Sequence, residues 1–495
     1  MQISVDAEKC TGCGNCVRTC PQKVLVLREG VSHPEHPERC MGCFGCEEEC
    51  PSAAIRITRT FPGVSPAATE REPPAACDVV IVGAGPAGLG AALAAARAGL
   101  HPVVIDRLPS PEVPAHPDAG LLVGAPELMP QVAGDRLRFD RLDLELRLSR
   151  VEVCRDLRLV GPGGISTGGR FPRGRTILIV DKRELTAALS REAAEAGAEL
   201  FYGYRVVDVI RSRGRVAGAV LDSGRCVSAR VVIFAEGIMA RMARRAGFAV
   251  ADRDLWYGDI IDAACPGTGA GAGLFYVNGG LPAPEGGAAF GAVARRSDET
   301  HLVLCFMRRR RFPTTPRPMG EYLQDMARSD ERIRRLAGDI PRDAEPYVSG
   351  CRVVLRPRPL TDLAVEGAVC IGDTWVHDGE LGNLMSLWQG MEAGKVVADC
   401  LRRNDVSRRA LRRLNETVTE RLLRILEANR SGKLLPARVS GAELEEVFRF
   451  LQHLDYAILF AGSPREQAAM FARFFVRNLF RFLLHPRLGR LALGA

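Results

Sequence analysis

The sequence predicts an α/β protein of several domains, and three observations lead to this class. Two matching cysteine runs lie within the first fifty of the 495 residues. A strand, a glycine turn, a helix and a second strand follow one another from residue 78. Beyond residue 400 the apolar residues recur mostly at helical spacing. We therefore expect an N-terminal α+β module, a Rossmann-like α/β domain combined with a β-rich domain, and a helical C-terminal region.

The two cysteine runs share the spacing C-x2-C-x2-C-x3-C-P. This spacing is typical of bacterial ferredoxins with two [4Fe-4S] clusters, in which the fourth cysteine of each run ligates the other cluster. The sequence therefore predicts a ferredoxin domain with two clusters and crossed ligands. The expected ligands of the first cluster are Cys10, Cys13, Cys16 and Cys50, and those of the second are Cys20, Cys40, Cys43 and Cys46.

Two other uses of these cysteines fit the sequence less well. Structural zinc sites usually consist of two separated C-x2-C pairs, which explains neither the third cysteine nor the proline of each run. A disulfide framework suits a short secreted domain, but no signal-peptide pattern precedes Cys10. The remaining eight cysteines are scattered singly, as expected for free thiols in a reducing cytoplasm.

Composition narrows the class of protein further. The hydrophobic fraction of 46% and the charged fraction of 25% are ordinary for a soluble protein, and no uncharged apolar stretch is long enough for a membrane span. The net charge of +8 comes mainly from arginine, with runs at 308–311 and 402–413. No aromatic and basic motif accompanies these runs, so we expect no nucleic-acid binding. We interpret the runs as solvated faces or as patches for an acidic partner.

Proline-rich composition separates the cysteine module from the rest of the chain. Four prolines between Arg59 and Ala76 predict an extended tether. The expected ranges are a ferredoxin domain at 1–57, a linker at 58–77, a Rossmann-like domain in two parts at 78–249 and 356–400, a β-rich domain at 250–355, and a helical region at 401–495.

A dinucleotide-binding fingerprint begins at residue 78. Gly83, Gly85 and Gly88 form G-x-G-x-x-G directly after an apolar strand and at the start of an alanine-rich helix. Asp106 ends the next strand, where an acid accepts hydrogen bonds from the adenosine ribose. The glycines permit a tight turn, close approach of the pyrophosphate and close packing of helix on strand, and the helix N-terminus favours phosphate. No second fingerprint is present, so we expect no separate nicotinamide domain.

Three later segments, in this order along the chain, complete a resemblance to a known family. They are Val180–Arg183 at the start of a helix, Val231–Gly237 at a strand end, and Ile371–Asp373 before a helix that starts near Gly382. With the fingerprint, they resemble the geranylgeranyl reductase family and the related electron-transfer-flavoprotein:quinone oxidoreductases.

The resemblance covers residues 78 to about 400 and implies a glutathione-reductase-type FAD-binding fold. It implies FAD as the cofactor and a helix N-terminus facing the flavin pyrimidine. The implied cofactor-binding residues are Gly83, Gly85, Gly88, Asp106, Arg183, Gly237, Gly372, Asp373, Gly382, Asn383 and Leu384.

A titratable cluster lies between Gly372 and Gly382. His377 is the leading candidate for delivering a proton to a substrate, with Asp378 or Glu380 as the residue that orients it. A purely structural role for His377 is the alternative.

The C-terminal segment 471–484 combines arginines every four residues with many phenylalanines and leucines. A basic, aromatic amphipathic helix can lie on an anionic membrane surface, or it can pack its apolar side on the protein. The sequence therefore favours a cytoplasmic protein. A peripheral contact of this helix with the inner face of the membrane is one alternative.

The leading hypothesis is an iron–sulfur flavoprotein oxidoreductase. Electrons from a redox-protein donor would pass through the clusters to FAD and then to a lipophilic substrate, which the resemblance identifies as an isoprenoid C=C bond. One alternative is reduction of a quinone. The other is a redox subunit of a larger electron-transfer complex, with 308–311 as a docking patch.

Overall fold

The computed structural model describes residues 1–60, 64, 71–113, 120–123, 126–170, 177–249, 255–266, 271–281, 287–313, 315–338, 346–355, 362–376, 382–417, 441–452, 454 and 464–484. The N-terminal module contains β1 (Gln2–Val5), α1 (Asn15–Thr19), β2 (Leu25–Arg28), β3 (Val31–Pro34), α2 (Gly45–Glu48) and β4 (Ile55–Thr58).

The N-terminal module is built from two related halves. β1 pairs antiparallel with β4, and β2 forms a hairpin with β3. Each short helix follows a residue in the left-handed conformation, Gly14 before α1 and Phe44 before α2. Six of the eight cysteines and the apolar strand residues share one small core, so the predicted ferredoxin-like α+β fold is confirmed.

A large sheet forms the centre of the second unit. Its strands are β5 (Ala76–Val82), β6 (Pro102–Asp106), β15 (Glu199–Tyr202), β16 (Val206–Ser212), β17 (Arg215–Leu221), β18 (Cys226–Phe234), β24 (Ala364–Val365) and β25 (Ala368–Cys370). The main order is β15-β6-β5-β18-β17-β16, and β25 pairs with β18. Because β15, β6, β5, β18 and β25 are parallel, their carboxyl ends meet at one edge. This is the predicted Rossmann-like fold.

Helices cover this sheet. They are α3 (Pro86–Arg97), α4 (Lys182–Glu195), α5 (Arg241–Arg245), α8 (Asp373–Val376), α9 (Gly382–Arg402) and α10 (Arg408–Leu411). α3 and α9 pack at backbone distance because small residues face one another. A Cβ on Gly390 would lie 1.9 Å from the carbonyl oxygen of Ala87, and a Cβ on Gly90 would lie 2.6 Å from that of Leu387.

A second sheet carries most of the β-rich part of the chain. Its strands are β12 (Asp156–Val160), β13 (Ser166–Arg170), β19 (Trp256–Pro266), β20 (Gly273–Asn278), β21 (Gly287–Arg295), β22 (Glu299–Arg308) and β23 (Tyr347–Leu355). They lie in the order β13-β12-β20-β21-β22-β19-β23. The predicted range 78–249 for the FAD-binding domain did not anticipate that β12 and β13 join this sheet, through the parallel pairing of β12 with β20.

The two faces of the second sheet have different partners. One face packs under α6 (Met319–Ser329) and α7 (Glu331–Ala337), and Met41 of the N-terminal module belongs to the same core. The other face, with Cys305 and Cys351, packs against Ile238, which follows β18. Successive strand residues point to opposite faces, so the sheet separates the N-terminal module from the apolar side at Ile238.

Smaller elements complete the described residues. The strands are β7 (Leu121–Leu122), β8 (Gln131–Ala133), β9 (Arg136–Phe139), β10 (Leu144–Arg147), β11 (Val151–Cys154) and β14 (Ile177–Val180), and the C-terminal helices are α11 (Gly441–Leu451) and α12 (Pro464–Leu484). Thr167 of β13 donates a hydrogen bond to the carbonyl of Leu451, which fixes α11 on the second sheet. The predicted helical C-terminus is confirmed.

The predicted linker at 58–77 is wrong at both ends. Thr58 belongs to β4, and Arg59 is buried with only 2% of its surface exposed. At the other end Arg71 forms an ion pair with Glu199, and β5 already starts at Ala76. Proline content suggested an extended tether, but hydrogen bonds and ion pairs hold these described residues against the rest of the protein.

Substitution of Gly390 tests the contact between α3 and α9. We expect Gly390→Ala to destabilise the protein by about 1–3 kcal/mol, because the added methyl group meets the Ala87 carbonyl and the helices must separate. Chemical denaturation measures this change. Lys395→Ala on the exposed side of α9 is the control and should stay within about 0.5 kcal/mol. Equal stability of the two variants would contradict the tight packing.

Candidate functional site

Cys20, Cys40, Cys43 and Cys46 line one pocket of the N-terminal module. Burial raises the pKa of Cys20 to about 11, and it raises the pKa of Cys43 and Cys46 further. Thiolates in such a site require compensating positive charge, which iron ions provide. Within the described residues, no three potential ligands converge at the spacing of a single metal ion.

Three of the other cysteines lie close together. Cys13 and Cys50 are electrostatic neighbours of Cys16, whose pKa is raised by burial. Cys10 packs against the same core, while Cys13 is exposed. The structure thus brings the cysteines together in the two crossed sets, and their role as cluster ligands remains a prediction.

The three fingerprint glycines lie at the carboxyl end of β5. Gly83 has a φ of +107°, and a Cβ on it would lie 2.3 Å from the carbonyl oxygen of Ala235. A Cβ on Gly88 would lie 1.9 Å from the carbonyl oxygen of Gly83. By contrast, a Cβ on Gly85 would meet no atom within 4 Å. The close backbone contacts therefore require glycine at positions 83 and 88. Gly85 instead faces open space where a pyrophosphate fits.

Asp106 closes the fingerprint from the end of β6. Its carboxylate accepts hydrogen bonds from the backbone N–H groups of Ala84 at 2.6 Å and Leu108 at 2.8 Å. Burial raises its pKa, and these two hydrogen bonds act against the rise. Asp106 therefore fixes the glycine loop, with its carboxylate at the predicted ribose position.

The second FAD-binding segment packs directly on the first. The N–H of Gly372 donates to Gln389 Oε1 at 2.7 Å, and a Cβ on Gly372 would lie 2.9 Å from Ala87 Cβ. Asp373 begins α8 beside this contact. Among the described residues, Gln389 Nε2 and the hydroxyl of Thr374 are buried with no hydrogen-bond partner. Unpaired buried polar groups at this position fit a polar cofactor.

The predicted residues at the start of α9 occupy the same edge of the sheet. Gly382 has a φ of +74°, Asn383 donates to the carbonyl of Leu121 at 3.0 Å, and Leu384 is fully buried. Gly237 forms a turn of positive φ after β18. Before it, the Glu236 carboxylate accepts from the N–H groups at the start of α5, and burial raises its pKa to about 7.

Arg183 contacts acidic side chains near the second sheet. Its guanidinium is held by Asp181, the N-cap residue of α4, and lies 3.8 Å from Glu299. Glu299 also bonds His301 at 2.8 Å, and Asp262 bonds the other ring nitrogen at 2.7 Å. Desolvation acts against the charge of His301, but the two carboxylates outweigh it and raise its pKa to about 10.

Sequence reasoning missed this buried histidine. His301 follows Glu299 by two residues on β22, but its second acidic neighbour, Asp262, becomes visible only in the paired register of β19 with β22. His377 and Asp378, the predicted catalytic residues, lie outside the described residues, as does Glu380.

Consecutive glutamates of the N-terminal module contact the nucleotide-binding half. Glu47 forms an ion pair with Arg205 at 3.1 Å, and Glu48 forms one with Arg107. Arg107 directly follows the nucleotide-site acid at the end of β6 and also lies over the Phe44 ring, 4.1 Å from its centroid. The cysteine module and the nucleotide site therefore meet at one strand end.

The third glutamate contacts the second sheet. Arg311 pairs with both oxygens of Glu49, and Arg352 lies 3.6 Å from the same carboxylate. Arg308 is buried in an ion pair with Asp259. The arginine run at 308–311 is thus partly engaged within the chain, and the acidic partner of Arg311 is the N-terminal module itself.

A substitution of Gly85 should weaken cofactor binding without affecting folding. We expect Gly85→Ala to fold normally, because its φ of −77° suits alanine and the methyl group meets no protein atom. FAD affinity should fall at least tenfold, about 1.4 kcal/mol, because the methyl group fills the pyrophosphate space. Equilibrium dialysis of FAD and thermal unfolding of the apoprotein measure the two effects. Full FAD affinity in this variant would contradict the placement.

Known proteins resemble this chain along most of its length. A digeranylgeranylglycerophospholipid reductase of Methanosphaerula palustris is 27% identical over 359 residues, 68% of this chain and 79% of that protein. A menaquinone reductase of Mycolicibacterium smegmatis is 34% identical over 177 residues, 34% of this chain and 40% of that protein. A geranylgeranyl bacteriochlorophyll reductase-like structure from Thermoplasma acidophilum shares the fold, with a TM-score of 0.63 and 19% identity over 82% of this chain and 98% of that one.

Family comparisons assign both units. Residues 2–51 match the family described as 4Fe-4S dicluster domain, and residues 78–116 match the FAD binding domain. Residues 110–368, more than half of the chain, match the family described as FAD dependent oxidoreductase. The protein is therefore an iron–sulfur flavoprotein oxidoreductase that belongs to the FAD dependent oxidoreductase family.

Proposed function

We propose that this oxidoreductase reduces a C=C bond of a prenyl lipid with electrons that arrive through two [4Fe-4S] clusters. The observation that carries the proposal is the contact of Glu47, Glu48 and Glu49 with both large sheets. These contacts hold a one-electron module directly against the FAD-binding half. The substrate class comes from the reductase-named relative that aligns with 68% of this chain.

The bound cofactors would supply storage of single electrons and their release in pairs. Each C=C bond takes up two electrons and two protons, so the donor protein must deliver two electrons for each saturated bond. The two crossed cysteine sets would hold the clusters. Gly83, Gly85 and Asp106 would hold the adenosine and pyrophosphate part of FAD, and His377 with Asp378 would supply a proton.

A quinone is the second candidate acceptor. The menaquinone reductase relative is 34% identical, although the match covers only 34% of this chain. A quinone takes up the same two electrons and two protons, at oxygen rather than at carbon.

The acceptor can be identified with purified protein that carries its clusters and FAD. Electrons come from a reduced ferredoxin, and a digeranylgeranyl phospholipid or menaquinone is offered separately. We expect mass spectrometry to show two added hydrogens per saturated bond in the phospholipid. Reduction of menaquinone alone would favour the quinone alternative, and reduction of neither would favour a redox subunit of a larger complex.

Cys46→Ala is the matched variant for this assay. It removes one expected cluster ligand and leaves the FAD-binding residues in place. We expect bound FAD to remain while the ferredoxin-driven rate falls at least tenfold, about 1.4 kcal/mol in activation free energy. An unchanged rate would overturn the route through the clusters.

The lipophilic substrate leads us to propose a membrane contact through α12. One side of this helix is buried, with Phe474 at 0% and Asn478 at 1% exposure. The opposite side exposes apolar side chains, with Val476 at 77%, Phe480 at 79% and Leu483 at 72%. Exposed Arg473 and Arg477 lie on the same helix, and no acidic residue follows Glu466 in the sequence. An apolar stripe with basic neighbours suits an anionic lipid surface.

Vesicle flotation tests this contact. We expect the wild-type protein to float with phosphatidylglycerol vesicles, and the triple variant V476S/F480S/L483S to lose at least tenfold in binding, because the exposed stripe supplies the apolar area. Arg465→Ala, at the exposed start of the helix, is the control and should still bind. Equal binding of the wild type and the triple variant would exclude α12 as the contact. Within the described residues, no helix is both long and apolar enough to cross a membrane.

A further inference from the structure

The two cysteine sets differ in their access to solvent. Cys13 is the one exposed cysteine of the eight; in its set Cys10 is half-buried, and Cys16 and Cys50 are buried. Cys46 is buried, and Cys43 packs against the core of the second sheet. A protein donor can approach the Cys13 side directly, whereas the Cys43 side is covered by the second sheet. An electron from outside therefore meets the exposed set first.

A buried arginine lies against the covered set. Arg59 is only 2% exposed, and its guanidinium donates to the carbonyl oxygens of Gly42 at 2.6 Å and Gly350 at 2.8 Å. Gly42 stands between Cys40 and Cys43, and a Cβ on it would lie 3.1 Å from Arg59 Nε. The positive charge is thus placed at the loop that carries two of the expected ligands.

Arginines from several elements contact the module or its neighbouring acid. They are Arg59, Arg107, Arg205, Arg308, Arg311 and Arg352. A buried charge is stable only when it is compensated. An iron–sulfur cluster held by four thiolates carries net negative charge, so it can compensate a buried guanidinium beside it.

We propose that Arg59 is the buried counter-cation of the cluster held by Cys20, Cys40, Cys43 and Cys46, and that it enables this cluster to accept an electron from the exposed cluster and pass it to FAD. The inference rests on the proposed pair of clusters. Burial alone opposes reduction, because each added electron makes the cluster more negative. A fixed guanidinium beside the cluster opposes that effect, since net charge and surroundings set the potential. The step moves one electron and breaks no bond.

Redox titration followed by electron paramagnetic resonance tests the role of Arg59. We expect Arg59→Gln, which keeps a donor group but loses the charge, to make reduction of the covered cluster at least tenfold less favourable, or 59 mV for one electron. The exposed cluster should keep its potential. A soluble dysprosium chelate identifies the exposed cluster, because it accelerates the relaxation only of a cluster near the surface.

Two further variants serve as controls. Arg59→Lys keeps the charge and should keep the wild-type potential, and Arg28→Met removes an exposed charge from the same module without effect. Loss of the covered cluster in Arg59→Gln but not in Arg59→Lys would also support the proposal. Unchanged potentials in Arg59→Gln, or an equal shift of both clusters, would overturn it. Iron content of the wild-type protein tests the cluster pair itself, so the two failures are distinguishable.

Discussion

The run Glu47-Glu48-Glu49 fixes the position of the cysteine module, and the arrangement of the two redox units depends on it. Its three carboxylates lie between Cys46 and Cys50 and pair with arginines from both large sheets. Glu47 contacts both Arg205 and Arg107, and Glu49 contacts both Arg311 and Arg352. Because the partners lie in different directions, the module is held in one orientation, and a fixed separation between electron carriers follows.

The nucleotide site depends on the same region of the fold. Parallel strands bring Gly83, Asp106 and Gly372 to one edge of the first sheet. Close contact of α3 with α9 then places Gly372 against Ala87, at the start of the fingerprint helix. Arg107, which pairs with Glu48, is the neighbour of Asp106. The nucleotide site and the docking contact therefore share one strand end, and displacement of that strand end would disturb both.

Local patterns predicted those parts of the molecule in which nearby residues determine the structure. Cysteine spacing predicted the N-terminal fold, and the glycine fingerprint predicted β5, α3 and the acid at the end of β6. The pairing of Glu49 with Arg311 joins residues 262 positions apart, and no local pattern records it. For the same reason the predicted range 78–249 did not show that β12 joins the second sheet, since its pairing with β20 depends on tertiary structure. Proline content gave no sign that Arg59 is buried.

Successive residues of β19 and β23 point to opposite sides of the second sheet. Asp259 and Arg352 point to the side of the cysteine module, while the adjacent Ile260 and Cys351 point to the side of Ile238. Under the proposed function, electrons from the module would reach the side of the sheet that carries Asp259 and Arg352. The other side is apolar and packs against Ile238. A prenyl chain bound on that apolar side would be separated from the clusters by the sheet itself.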